Sequence, residues 1–149
     1  MPIVAEPRQA KLRPRTPYDA QFSLPYSVAA AFGDGRVDLD TYAVERLGDR
    51  RVLALADRVV CRPDPATTFP NDFPGWVRAR PRDGRTVEAR EPDGRGGPAR
   101  PLPPHAIVEK FRANAGRVLP AARVAELERA TLALDTLTDV RSLMPLCRG

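Results

Sequence analysis

Histidine, lysine and cysteine, on which much enzyme chemistry depends, are scarce in this chain of 149 residues, which holds one histidine and two cysteines. A single histidine without paired cysteine or carboxylate spacing cannot specify a metal site. No serine lies in a Gly-x-Ser-x-Gly turn, and any serine triad would need that same histidine. The residues therefore predict no catalytic residue and no metal site, and His105 is interpreted as a surface or capping residue.

Long apolar runs are also absent. No uninterrupted stretch approaches the roughly 20 residues that a membrane-spanning helix needs. The polar, proline-containing segment 1–11 lacks the apolar centre and the cleavage pattern of a secretory signal. Cys61 and Cys147 match no metal or redox spacing, so both are predicted to be free thiols. We therefore expect a cytoplasmic protein without a membrane partner.

Lysine contributes almost nothing to the net charge of +5, because Lys11 and Lys110 are the only two lysines. The arginines are scattered beside acids in every segment, without a dense basic helix or the aromatic and basic alternation of single-strand binders. We therefore expect no nucleic acid partner. The arginine surplus suits small anionic substrates instead, because a guanidinium pairs with a carboxylate through two hydrogen bonds.

Three glycines, Gly94, Gly96 and Gly97, superficially resemble a phosphate-binding loop. The lysine and the following serine or threonine of such a loop are missing, and no helix begins directly after the glycines. A turn is the simpler interpretation, and no cofactor is predicted.

Short helices are predicted for the first part of the chain. Residues 1–17 are rich in proline and arginine and show little periodicity, so we expect a partner to order them, with residues 1–5 as a possible edge strand. Asp19 is predicted to cap a helix over residues 20–32 that ends at Gly33 and Gly35. Further predicted elements are a short helix ending at Leu47, a helix capped by Asp49, and a strand over residues 58–62.

A hairpin and then helices are predicted for the rest. Trp76 to Pro81 and Arg85 to Glu91 are strand-like runs on either side of Asp83-Gly84, a pair typical of hairpin turns because the turn needs positive φ. Apolar residues at helical spacing from Ile107 to Leu143 indicate two principal helices and a short third. This order predicts an α+β fold, in which helices cover one face of a small antiparallel sheet.

The segment Arg13 to Ala29, with the letters RPRTPYDAQFSLPYSVA, resembles a signature of the C-terminal domain of the MmgE/PrpD family. Further landmarks resemble the family in the same order, namely Gly33 to Val37, Phe69-Pro70, Arg82 to Arg85, Gly94 to Pro101 and Val108 to Ala115. The likeness begins near Leu12 and continues to the C-terminus. We therefore divide the chain into an N-terminal arm, residues 1–12, and an MmgE/PrpD-like domain, residues 13–149.

This resemblance implies a class of chemistry. Family members include 2-methylcitrate dehydratase, cis-aconitate decarboxylase and iminodisuccinate epimerase, which abstract a proton next to a carboxylate without a required metal. They resemble one another in having a large helical domain, a smaller α+β lid, a cleft between the two, and a homodimeric assembly. The implied role is the lid and substrate-cleft domain of a lyase or epimerase for small polycarboxylates, with a helical domain or a second copy as partner.

The family's acid and base residues do not carry over to this chain. They belong largely to the helical domain and to a Lys-Pro-rich segment at the domain junction, and Lys11 lacks that Lys-Pro-x-Pro context. The isolated chain is therefore expected to be inactive. The alternative is a non-catalytic interaction module or truncated relic that pairs with a helical partner.

One site residue does carry over by resemblance. Tyr26 matches a family tyrosine that faces the cleft, so it is the predicted substrate-binding residue. The alternative is a core aromatic on the helical face of Phe22 and Ala30. Where relatives often have histidine this chain has Phe22, which removes a hydrogen-bond donor.

Overall fold

The computed structural model describes residues 2–148, which form two compact units divided after Pro65. The predicted boundary between an arm and a domain at residue 12 is not tested by this division and stays a prediction. Within residues 2–148, no helix combines the length and the apolar character needed to cross a membrane.

Short helices build the first unit. They are α1 (Arg8–Leu12), α2 (Pro17–Gln21), α3 (Leu24–Asp34) and α4 (Arg50–Ala56), with 3-10 turns at Pro2–Val4, Asp40–Tyr42 and Val44–Arg46. The core lies where α3 packs on α4, and its buried members are Leu12, Ala20, Tyr26, Ala29, Ala30, Leu47, Val52 and Ala56. Small alanines on both helices allow this close approach.

The predicted single helix over residues 20–32 is wrong, because the chain breaks it into α2 and α3. Thr16 caps α2, and Asp19 is its third residue: each side chain accepts the other's backbone N–H, at 3.1 and 3.0 Å. Ser23 then starts α3 by accepting the N–H of Tyr26 at 3.1 Å. A hydroxyl and a proline at the second helical position favour a new start over a continuous helix.

Two other predicted helix boundaries are confirmed. Gly35 ends α3 with a φ of 71°, a left-handed conformation that glycine adopts without a steric penalty. Asp49 caps α4 by accepting the N–H of Arg51 at 2.9 Å. Polar caps and glycine stops are encoded locally, which is why the sequence identifies them.

Arg8 joins the N-terminal arm to later residues of the first unit, and the expectation that a partner orders this arm stays a prediction. The guanidinium donates to the carbonyl oxygens of Val59 at 2.8 Å and Asp57 at 3.1 Å. Residues 58–62 therefore form no strand, and residues 2–4 form a 3-10 turn instead of an edge strand. The predicted strand over residues 58–62 and the possible edge strand over residues 1–5 are therefore not found in the described residues.

The second unit contains the predicted hairpin. Strand β1 (Gly75–Ala79) pairs antiparallel with β2 (Val87–Glu91), and Trp76 lies opposite Arg90. Gly84 lies in the connecting loop with a φ of 80°. The hairpin and its glycine are confirmed, although β1 ends earlier and β2 begins later than predicted, which leaves a longer loop.

Helices follow the hairpin as predicted: α5 (Pro104–Ala115), α6 (Ala121–Leu132) and a 3-10 helix (Val140–Cys147). Leu119, Val124 and Leu127 are the buried centre of this unit, with Phe111 and Leu143 against them. The α+β class is confirmed. The described core clusters contain no strand residue, and every strand residue except half-buried Ala79 is exposed. The core of this unit is therefore formed by helices that pack on one another.

Candidate functional site

Tyr26, the predicted substrate-binding residue, lies in the core of the first unit with 0% of its surface exposed. Its hydroxyl lies 3.1 Å from the carbonyl oxygen of Thr41 and 3.0 Å from that of Arg46. One hydroxyl proton can be donated to only one of these acceptors at a time. Burial raises the pKa of the Tyr26 phenol above its ordinary value.

The hydroxyl of Tyr26 therefore clamps the segment of residues 38–49 onto α3. Asp38 and Thr41 stiffen that segment by accepting each other's backbone N–H groups at 3.1 and 3.0 Å. Arg46 adds ion pairs to Asp34 at 2.6 Å and to Asp49 at 3.1 Å. The geometry is that of the core aromatic. Substrate contact at Tyr26 stays a prediction, and it requires this segment to move away from the ring.

Acids dominate the shallow concavity beside this segment. Its charged lining consists of two arginines, Arg36 and Arg46, and four acids, Asp34, Asp38, Asp40 and Glu45. Both arginines already pair with these acids, Arg36 with Asp38 at 2.9 Å. An excess of carboxylates repels a polycarboxylate, so this concavity does not suit such a ligand.

A pair of hydroxyls near Tyr26 escaped the sequence interpretation. The hydroxyls of Ser27 and Tyr42 lie 3.0 Å apart and are half-buried, and the rings of Tyr42 and Tyr26 lie 6.4 Å apart between centroids. These two groups offer both donors and acceptors to a polar ligand. No sequence pattern joins residues 27 and 42, because the turns between them bring the two side chains together.

An apolar stripe covers the outward side of α3. Leu24 and Phe32 are exposed, Phe32 to 58%, and Val28 and Ala31 between them are half-buried. The spacing i, i+4, i+7, i+8 places these four on one helical face. We call them the α3 outer stripe. Tyr26 and Ala30 face the core on the other side of the helix.

A pair of aromatic residues, one of them exposed, adds apolar surface to the first unit. Tyr18 on α2 is 69% exposed, and its ring centroid lies 4.9 Å from that of half-buried Phe22. Exposed apolar and aromatic side chains such as Leu24, Phe32 and Tyr18 are typical of a surface that binds another protein.

The remaining candidate residues form no reactive group. His105 is exposed near the start of α5, as predicted. Cys61 and Cys147 are free thiols, and burial raises the pKa of the Cys61 thiol. Among residues 2–148, no group of three or more histidine, cysteine or acidic side chains is arranged to hold a metal ion.

A second shallow concavity lies between α5 and α6 and includes Arg112, Val124 and Glu128. The Arg112 guanidinium donates two hydrogen bonds to the Glu128 carboxylate, at 2.6 and 2.7 Å. This contact lowers the pKa of Glu128 and joins the two helices. The arginine is therefore already paired, and its role is structural.

Comparison with known proteins matches the chain to a family model and to a relative. The model of the MmgE/PrpD C-terminal domain matches residues 2–136. The chain is also 30% identical over 138 residues to a cis-aconitate decarboxylase-like protein, oryM, of Aspergillus oryzae. That alignment covers 92% of this chain and 28% of the relative. The chain thus spans little more than a quarter of the length of that protein.

Proposed function

Since this chain belongs to the MmgE/PrpD family, whose C-terminal domain it carries over residues 2–136, we propose that it forms the lid and substrate-cleft domain of a lyase or epimerase. The complete enzyme acts on small di- or tricarboxylates by proton abstraction and does not require a metal. A helical domain of the same family supplies its acid and base groups, and the chain alone is inactive.

The α3 outer stripe is the observation that carries this proposal. Leu24 and Phe32 are exposed on a helix whose opposite face already fills the core. A helix that is apolar on both sides is typical of an element between two packing partners. We propose that the helical domain covers this stripe.

The Ser27–Tyr42 hydroxyl pair extends the proposal to the substrate. Ser27 lies in the segment that resembles the family signature, and both residues are half-buried, so a ligand can replace the hydrogen bond between the two hydroxyls with its own. Hydroxyls donate hydrogen bonds to a carboxylate and add no negative charge of their own. In this proposal, Tyr26 holds the frame and Ser27 and Tyr42 meet the substrate.

A chimeric enzyme tests the proposal. The matched region of the Aspergillus oryzae protein is replaced by this chain, and the chimera is assayed with cis-aconitate, methylcitrate and iminodisuccinate beside the isolated chain. We expect turnover from the chimera, also in the presence of a chelator, and none from the isolated chain. Turnover by the isolated chain that is lost in His105→Ala would refute the assignment of the acid and base groups.

Matched variants of the chimera locate the docking surface. Phe32→Glu places a charge in the α3 outer stripe, whereas Val60→Glu places the same charge on another exposed residue of the first unit. Both side chains are exposed, so both variants should fold. We expect Phe32→Glu alone to lower turnover and the melting midpoint; equal effects would contradict docking at the stripe.

The alternative function, a non-catalytic module that pairs with a helical partner, uses the same surface. It predicts the same loss of stability in Phe32→Glu, but a folded chimera without turnover on any of the three substrates. Turnover therefore distinguishes the two functions.

A further inference from the structure

The hairpin carries two unpaired edges. Among residues 2–148, β1 and β2 form a sheet of two strands only. An isolated two-stranded hairpin is at best marginally stable in water, and an open edge presents a row of backbone groups ready to pair with another strand. The exposed hairpin thus offers a surface for strand addition.

The two faces of this hairpin differ in chemistry. One face is largely apolar and carries Val77, Ala79, Val87 and Ala89. The other face carries Trp76, Arg78, Glu88 and Arg90, which form a ladder of contacts. Arg78 pairs with Glu88 at 2.5 Å, and the guanidinium of Arg90 lies 3.9 Å from the centroid of the Trp76 ring.

We propose that β1 pairs antiparallel with β1 of a second copy of this chain, with the two-fold axis at Val77. The five residues of β1 are complementary to themselves in this register. Trp76 then lies opposite Arg78 of the second copy, and Val77 lies opposite Val77. Arg78 of each copy thereby gains the Trp76 ring of the other copy as a second aromatic contact. The apolar faces of the two hairpins become one continuous face.

Charge complementarity also extends across the four-stranded sheet. Each row on the polar face contains Glu88 and Arg78 of one copy, followed by Trp76 and Arg90 of the other. Every neighbouring pair in that row is attractive: an ion pair, then two cation–π contacts. No like charges lie directly opposite one another.

The edge of β2 is the weaker choice. Antiparallel pairing of β2 with itself about Ala89 places the charged Glu91 beside Val87 on the apolar face. Glu91 is moreover held in an ion pair by Arg100, which follows the strand. Pairing through β1 places Gly75 opposite Ala79 there instead, so no charged residue lies at the contact between the two copies and Glu91 stays on the outer strands.

Two charge variants test the proposal, which does not rest on the proposed enzymatic function. Val77→Lys brings two ammonium groups together at the two-fold axis, whereas Val87→Lys places the same charge on the same face of the other strand. Sedimentation velocity of the 149-residue chain over a range of concentrations should show a dimer for the unchanged chain and Val87→Lys. Val77→Lys should be monomeric. A monomeric unchanged chain, or equal behaviour of both variants, would overturn the proposal.

Cross-linking provides a readout that does not depend on destabilising the hairpin. Residues opposite each other in antiparallel strands have Cα atoms about 4.5 to 5.5 Å apart, within the range that a disulfide spans. With Cys61 and Cys147 replaced by serine, Val77→Cys should form a disulfide-linked dimer on mild oxidation, and Val87→Cys should not. A dimer that cross-links through neither residue would place the interface elsewhere and refute pairing through β1.

Discussion

Removal of a single oxygen in Tyr26→Phe tests whether the Tyr26 hydroxyl holds the segment of residues 38–49 onto α3. The ring remains and continues to fill the core between α3 and α4. The hydroxyl donor to the carbonyl oxygens of Thr41 and Arg46 is lost. The Arg46 carbonyl keeps the backbone N–H of Asp49 at 3.1 Å, so the change falls mainly on the buried Thr41.

The expected decrease in the free energy of unfolding is about 1 to 2 kcal/mol. A typical intramolecular hydrogen bond contributes about 1 kcal/mol net, and a buried carbonyl left without a donor costs about 1 to 3 kcal/mol. The expected value lies in the lower part of these two ranges because the Arg46 carbonyl keeps the backbone N–H of Asp49 as its donor. Phenylalanine leaves no large cavity, so the packing term is small.

Urea unfolding of Tyr26→Phe and Tyr42→Phe measures this difference. Tyr42 is the control, since its hydroxyl pairs with the half-buried Ser27 hydroxyl, which water can reach when the partner is lost. We expect a lower midpoint at an unchanged slope for Tyr26→Phe and a smaller shift for Tyr42→Phe. Equal shifts, or no shift in Tyr26→Phe, would refute the clamp.

The pH dependence of the free energy of unfolding, compared between the unchanged chain and Tyr26→Phe, provides a second check with a definite sign. The folded-state pKa of Tyr26 is raised by burial above the unfolded value of about 10. The stabilisation is therefore complete below pH of about 10 and is lost as the pH rises through the folded-state pKa. The stability advantage of the unchanged chain over Tyr26→Phe should shrink in that alkaline window and stay constant near neutrality.

Two further variants test local features. Gly84→Val should lower the free energy of unfolding by about 1 kcal/mol or more, and with it the melting midpoint, because a β-branched residue is strained at the φ of 80°. The control Gly94→Val, at a position without a positive φ, should change the midpoint less. Arg8→Ala should speed limited proteolysis within residues 1–12, because it removes the donor to the Val59 and Asp57 carbonyls. The control Arg15→Ala should not. Equal rates would show that the arm is held by other contacts.

Features encoded by neighbouring residues were predictable from the sequence. Asp49 caps a helix, Gly35 ends one and Gly84 adopts the positive φ of a loop, and each depends on its own backbone or on residues a few positions away. The apolar spacing from Ile107 to Leu143 gave the two principal helices and the short third for the same reason. The α+β class followed from the order of these elements.

Features that depend on distant residues were not predictable. Arg8 binds carbonyls more than 45 positions further along the chain, and this contact replaces the strand expected at residues 58–62. The split between α2 and α3 is different, because Ser23 and Pro25 encode the new start locally and the Ser23 hydroxyl also donates to the Lys11 carbonyl. The prediction followed the apolar periodicity over residues 20–32 and overlooked this local start signal, so it gave one helix in place of two.

Tyr26 shows why a family match alone does not fix the role of a residue. The sequence match concerns an aromatic ring with a hydroxyl at one place on a helix, and the structure has both. Whether that hydroxyl contacts a ligand depends on the segment of residues 38–49. There the carbonyl oxygens of Thr41 and Arg46 are the acceptors for its proton. A substrate carboxylate would have to replace the Thr41 carbonyl as acceptor, and the buried carbonyl would then lose its donor unless the segment moved. The ion pairs of Arg46 with Asp34 and Asp49 oppose that movement. Substrate contact at Tyr26 is therefore coupled to release of Arg46, whereas contact at Ser27 and Tyr42 requires only the exchange of a half-buried hydroxyl pair.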